Sequence, residues 1–122
     1  MHFDHERLDV YRVAIEFVAW ADEFLDRLPV GKRGSVAKQL ERAATSIPLN
    51  IAEGNGKRSR KDRSRYLDIA RGSALESAAC LDVLLARRAK TPSDVSKGKN
   101  QLRRIVEMLT KLTASLLRQD VA

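Results

Sequence analysis

Apolar residues recur every three or four positions along four stretches of this chain, and no stretch alternates with the period of two that marks a strand. The spacing predicts a first helix from about Glu6 to Leu28. A break follows at "LPVGKRGS", where Pro29, Gly31 and Gly34 interrupt the pattern and Ser35 can cap the next helix. The second helix runs from Ser35 to about Glu53, with Val36, Leu40, Ala43, Ile47 and Ile51 on its apolar seam, and stops at Gly54 and Gly56. The third opens at "SRKD", where Ser59 caps and Asp62 returns the bond, and continues to about Lys90. The fourth opens at "TPSD", with Thr91 as cap, Pro92 at the first helical position and Asp94 completing the box, and ends near Arg118. Connections this short place successive helices side by side in opposite directions. The expected fold is therefore all-α, an antiparallel up-down-up-down four-helix bundle forming one domain over residues 1–122.

Two positions complicate this pattern. Pro48 removes a backbone donor and crowds the carbonyl of Ala44, yet the apolar spacing crosses it without a change of phase. A kink at Pro48 within one helix fits better than two helices and a loop. The first helix carries two seams: Leu8, Tyr11, Ile15, Val18 and Leu25, and also Val10, Val13, Phe17, Trp20 and Phe24. A bundle helix needs one apolar face, so the second seam is expected to be a contact between subunits, the alternative being a helix embedded deeply in a lone bundle. The third helix is rich in small residues (Gly72, Ser73, Ala74, Ser77, Ala78, Ala79), and Cys80 among them reads as a buried packing residue.

Charge changes the picture further. The 122 residues carry a formal net charge of +7, but residues 1–28 hold three basic and seven acidic groups, so the excess lies downstream. Residues 57–71 alone hold seven basic groups against Asp62 and Asp68. Such a division points to an anionic partner for the basic part, and allows the acidic segment to face basic segments of the same or another chain. No apolar run is long enough to cross a bilayer, the first residues are polar and acidic rather than signal-like, and one cysteine excludes an internal disulfide. The expectation is a cytoplasmic protein with no membrane partner.

Catalytic and cofactor chemistry find no support. "GNGKRS" resembles a phosphate loop only faintly, since Ile51 stands where the first glycine belongs and Arg58 where the hydroxyl belongs. The two histidines, His2 and His5, lie in what reads as an exposed tail, where with Asp4 they form no convincing metal site; no helix carries the Glu-x-x-His pair of a di-iron bundle. No cofactor and no metal are expected.

Two polar features remain. Arg42, Ser46, Asn50 and Glu53 recur at three and four with Gln39 on the second helix, and Glu76 lies inside the small-residue stretch of the third. Together they form either a solvated face or a polar network that fixes how helices or subunits meet. The basic corner Lys57, Arg58, Arg60, Lys61, Arg63, Arg65 and Arg71, with Lys99, Arg103, Arg104 and Lys111 on the fourth helix, is a candidate phosphate-binding surface. Its alternative is a solubilising surface, because no aromatic interleaves the run to stack on bases.

The segments "LDVYRVA" at 8–14, "QLERAATSIPLNIAEGNGKRSRKD" at 39–62 and "YLDIARGSALESAACLDVLL" at 66–85 resemble the four-helix-bundle family encoded in intervening sequences of bacterial large-subunit ribosomal RNA genes. The S-I-P-x-N-I-A-E-G core is the most specific part, supported by Gly72, Ser73 and Glu76. The family is similar in fold to accessory proteins of diversity-generating retroelements, which work beside a reverse transcriptase and bind nucleic acid. The resemblance implies an antiparallel bundle, a ring-like homopentamer and no known catalytic activity. The expected function is thus a non-enzymatic, oligomeric protein associated with RNA or DNA. The rival is a scaffold that docks a protein partner, such as a polymerase or reverse transcriptase, without touching nucleic acid.

Overall fold

The structure is a computed structural model that describes residues 2–88 and 92–121, without the side chains at 30, 32, 33, 92, 93 and 119–121. A 3₁₀ turn, Asp4–Arg7, precedes four helices: α1 (Asp9–Asp26), α2 (Val30–Asn55), α3 (Arg60–Ala86) and α4 (Pro92–Val121). Among the described residues there is no strand. Each helix packs against two others, α1 on α2 and α4, α3 on α2 and α4, which is the arrangement of a four-helix bundle. Cross-helix pairs show the sense of packing. Gly54 lies against Tyr66 while Ser46 bonds Ser73; Arg71 bonds Thr110 while Asp82 pairs with Lys99; Leu8 lies by Leu112 while Trp20 lies on Gly98. In each set, numbers fall on one helix as they rise on the other.

The seams foreseen on α2 and on α1's second stripe meet in the centre. Phe17, Leu40, Ile47 and Ile51 are fully buried with Leu81, Leu84, Ile105 and Leu109 from the other two helices. Each such side chain contributes about 1.5–3 kcal/mol of transfer free energy. This revises the role expected for α1. Val10, Val13, Phe17 and Phe24 are buried inside the single chain, and Trp20, half-buried, stacks between Phe17 and Phe24 with ring centroids 5.8 and 4.9 Å away. The stripe assigned to a subunit contact is the bundle's own core. The other seam flanks it: Leu8, Tyr11, Val18 and Leu25 are half-buried against that core, and only Ile15 is exposed. Two seams fit one bundle helix because α1 is held between two neighbours, which together cover a wider arc than one would.

Several boundaries also shift. The start expected at Glu6 is a 3₁₀ turn, with Leu8 extended before α1 begins, and the tail is tied down where Asn55 donates to Asp4 at 2.9 Å. In α2 the non-helical residue is Gly34, with φ 51° and ψ −163°, a conformation suited to glycine; a short helical turn precedes it. Pro48 lies inside α2 and the helix runs through it. On α3, Ser59 Oγ accepts from the Asp62 amide at 3.0 Å, as the capping signature requires. The helix stops at Ala86 rather than near Lys90, because Arg88 adopts a left-handed φ of 57°. Lys90 and the proposed cap Thr91 lie outside the described residues, while α4 does begin at Pro92.

The α1–α4 contact depends on a notch. Gly98 occupies a core position of α4, and a Cβ there would overlap the Trp20 ring. Alanine would gain about 1 kcal/mol of helix propensity but would displace a rigid ring held by two others, and overpacking of this kind typically costs about 1–3 kcal/mol. Gly98→Ala should therefore lower the denaturant midpoint, and Trp20→Leu in the same chain should make the glycine replaceable. Equal midpoints for wild type and Gly98→Ala would show that the notch does not constrain the packing.

Cys80 is buried, and burial, followed by the charge of Glu76, raises its thiol pKa. A raised folded-state pKa means that its stability contribution is intact below the ordinary thiol range, about 8.5, and declines as pH rises through and beyond it. Alkylation of the native protein at pH 8 should be slow and should accelerate sharply on unfolding in denaturant; equal rates would contradict the burial.

Candidate nucleic-acid interface

The basic corner exists because α2 and α3 meet closely at one end of the bundle. Gly54, in the last turn of α2, is buried, and a Cβ on it would stand 2.9 Å from Tyr66 Cβ and 3.2 Å from the Arg63 carbonyl. The chain then turns through Gly56 and Ser59 into α3, so Lys57 and Arg58 lie on the turn while Arg60 and Lys61 lie on the first turn of the helix. Arg58, Arg60 and Lys61 are exposed.

Four other cations of this run make contacts within the fold. Arg63 is half-buried and its Nε donates to the Lys57 carbonyl at 2.6 Å, which staples the turn to α3. Lys57 pairs with Glu53 at 3.4 Å and lies 5.2 Å from the centre of the Tyr66 ring. Arg65 lies over the same ring at 4.6 Å and reaches Asp62 at 4.0 Å. Arg71 Nε donates to Thr110 Oγ1 at 2.9 Å across the α3–α4 seam.

The fourth-helix cations do not join the corner. Lys99 pairs with Asp82 near the C-terminal end of α3, and Arg103 donates to Asn100 within its own helix. Arg104 and Lys111 are exposed, Lys111 beside Arg7 and Leu8 on the α1–α4 side. Lys99 and Lys111 are twelve positions apart, about 18 Å of helix, so these residues are spread along α4 rather than gathered. Tyr66 corrects the reading that no aromatic interleaves the basic run. It directly follows Arg65 in "RSRYL", and that adjacency was the available signal.

The polar stripe divides in the same way. Ser46 Oγ accepts from Asn50 Nδ2 and from Ser73 Oγ, each at 2.9 Å, and Asn50 Nδ2 also donates to the Ser46 carbonyl at 2.8 Å. This half-buried cluster joins α2 to α3, and below it Ser77 Oγ, fully buried, donates to the Ser73 carbonyl. Within the single chain Ser46 and Asn50 are half-buried between α2 and α3, whereas Arg42, Glu53 and Glu76 are exposed.

The segment carrying this cluster and the corner, S-I-P-L-N-I-A-E-G followed by the basic turn, lies within residues 6–111, which match the model of the 23S rRNA-intervening sequence protein family. The chain belongs to this family. It is similar to a crystal structure from Bacteroides thetaiotaomicron, a protein with unknown function from the S23 ribosomal protein family. The two share 27% identity and a TM-score of 0.78, over 85% of this chain and 97% of that chain. Comparison with curated proteins found no match. In this member of the intervening sequence family, no helix among the described residues is long and apolar enough to cross a membrane. No group of three or more His, Cys, Asp or Glu among them is placed to hold a metal ion.

Because Glu53 is exposed and pairs only with Lys57 in the described contacts, Glu53→Ala should change stability by no more than about 0.5 kcal/mol. Ser46→Ala, which removes the acceptor shared by Asn50 and Ser73, should cost about 1–2 kcal/mol. Denaturant unfolding of both variants checks the contrast, and the reverse order would place the critical polar contact at Glu53.

Proposed function

We propose that this protein is a non-enzymatic, homo-oligomeric nucleic-acid-associated protein whose primary contact is the corner from Lys57 to Lys61. The observation that carries the reading is the exposure of Arg58, Arg60 and Lys61 where the chain turns into α3, in a stretch whose net charge is strongly positive. These groups would neutralise phosphates and release counterions, a sequence-independent interaction. RNA is favoured over DNA by the genomic setting that the family description implies. Arg104 and Lys111 would add weaker peripheral contacts. The homopentamer implied by the family resemblance would repeat the corner on every copy, so that weak single contacts add through multivalency. With the core stripe of α1 unavailable, such assembly would use other exposed apolar positions, among them Ile15, Leu49, Ile69 and Leu75.

Filter binding of RNA and DNA across a salt series tests this. Affinity should fall steeply with salt, with a log–log slope of roughly −0.9 per phosphate neutralised on duplex DNA and about −0.7 on single strands. Arg58→Ser, Arg60→Ser and Lys61→Ser combined should weaken binding and flatten the slope without loss of helicity. If neither nucleic acid is retained at low salt, or the triple variant binds like wild type, the scaffold reading takes its place. Light scattering that finds only a 13.7 kDa species would remove the oligomer.

A further inference from the structure

The contacts of Arg65 go beyond those of a phosphate-binding cation. We infer that Arg65, seated on Tyr66, is a stacking platform for an unpaired nucleobase, so that the corner takes single-stranded rather than duplex nucleic acid. The inference rests on the nucleic-acid reading above and names the form of nucleic acid that the corner selects. The guanidinium is held on two sides. Its Cζ lies over the Tyr66 ring, 4.6 Å from the centroid, and one terminal nitrogen stands 4.0 Å from the Asp62 carboxylate. The ring is itself fixed, since the half-buried Tyr66 is lodged against the bare backbone of Gly54, and the Asp62 backbone is anchored in the first turn of α3 by its amide bond to Ser59 Oγ. The Arg65 side chain is nevertheless 60% exposed.

A guanidinium seated over a ring and still largely exposed is suited to receive the face of a base. Unstacked bases of single strands bind arginine planes and aromatic rings in this way, and the contact tolerates any base because every base has a π-face. In a duplex the base faces are covered by their neighbours, and only phosphates and groove edges remain to be touched. Arg58, Arg60 and Lys61, on the turn and first helical turn before Arg65, are placed to follow the sugar-phosphate chain of a strand whose base lies on Arg65. Lys57, on the other side of the sequence from Tyr66 and also close to its ring, supports the ring's position and adds charge beside it.

The test compares binding of a labelled single-stranded RNA and of the matching duplex at low salt, using the full chain. Arg65→Lys keeps the charge and removes the plane. It should lower single-strand affinity about tenfold, leave duplex affinity within about twofold, and leave the salt slope unchanged. Tyr66→Leu should do the same by unseating the guanidinium, whereas Tyr66→Phe, which keeps the ring and the packing at Gly54, should bind like wild type. Circular dichroism confirms that each variant is folded, and Arg65→Lys, altered only at an exposed side chain, decides the matter if Tyr66→Leu is not. Equal losses on single strand and duplex, or no loss with Arg65→Lys, overturn the stacking role and leave the phosphate-binding corner standing. A wild-type protein that retains neither RNA overturns both.

Discussion

The close approach of α2 and α3 at Gly54 is the constraint on which the functional end of this bundle depends. Two helices normally stand 8–10 Å apart because side chains separate them. At Gly54 there is none, and the backbone of Arg63 and the Cβ of Tyr66 fill the space that any other residue would take. The turn between the helices is consequently short, and Arg63 can reach back to the Lys57 carbonyl. From this one contact follow the position of Tyr66, the seat of Arg65 on its ring, and the outward projection of the charges on the turn. The notch at Gly98 performs a similar service for α1 and α4, admitting the Trp20 ring into the layer between them. In both places a residue that weakens a helix locally permits a tighter contact between helices.

The basic run is chemically uniform but physically divided. Arg63 and Arg71 have hydrogen bonds that hold the turn and the α3–α4 seam, and Lys99 is paired with Asp82. Arg58 and Lys61 project from the corner. A cation already bound to a backbone carbonyl or hydroxyl has less to offer an incoming phosphate, since that bond must be given up or shared. Counting charges therefore overstates the binding surface, while the pairing pattern indicates which of them are placed for an anion. The Ser46, Asn50 and Ser73 cluster shows the corresponding division among neutral groups. Its members satisfy one another between α2 and α3, and the charged residues on either side of it remain at the surface.

Periodicity, capping residues and glycine and proline punctuation were enough to determine four helices, their order and the starts of α3 and α4, because those signals act within a few residues of one another. The seam on α2, the cap at Ser59, the buried Cys80 and the family motif around Pro48 were all legible in this way. Three things were not. Whether the second seam of α1 faced a partner or its own core depended on how wide an arc its neighbours cover, which is a property of the packed bundle. Which arginines of the basic run were engaged depended on a carbonyl six residues from Arg63 and a threonine on another helix from Arg71. The platform of Tyr66 and Arg65 depended on a glycine twelve positions earlier that no helical period links to them. Local sequence determined where helices form, since backbone hydrogen bonds and caps are local. Only tertiary structure decided which side chains remain available to a ligand, since that depends on groups distant in the chain competing for the same polar and aromatic partners.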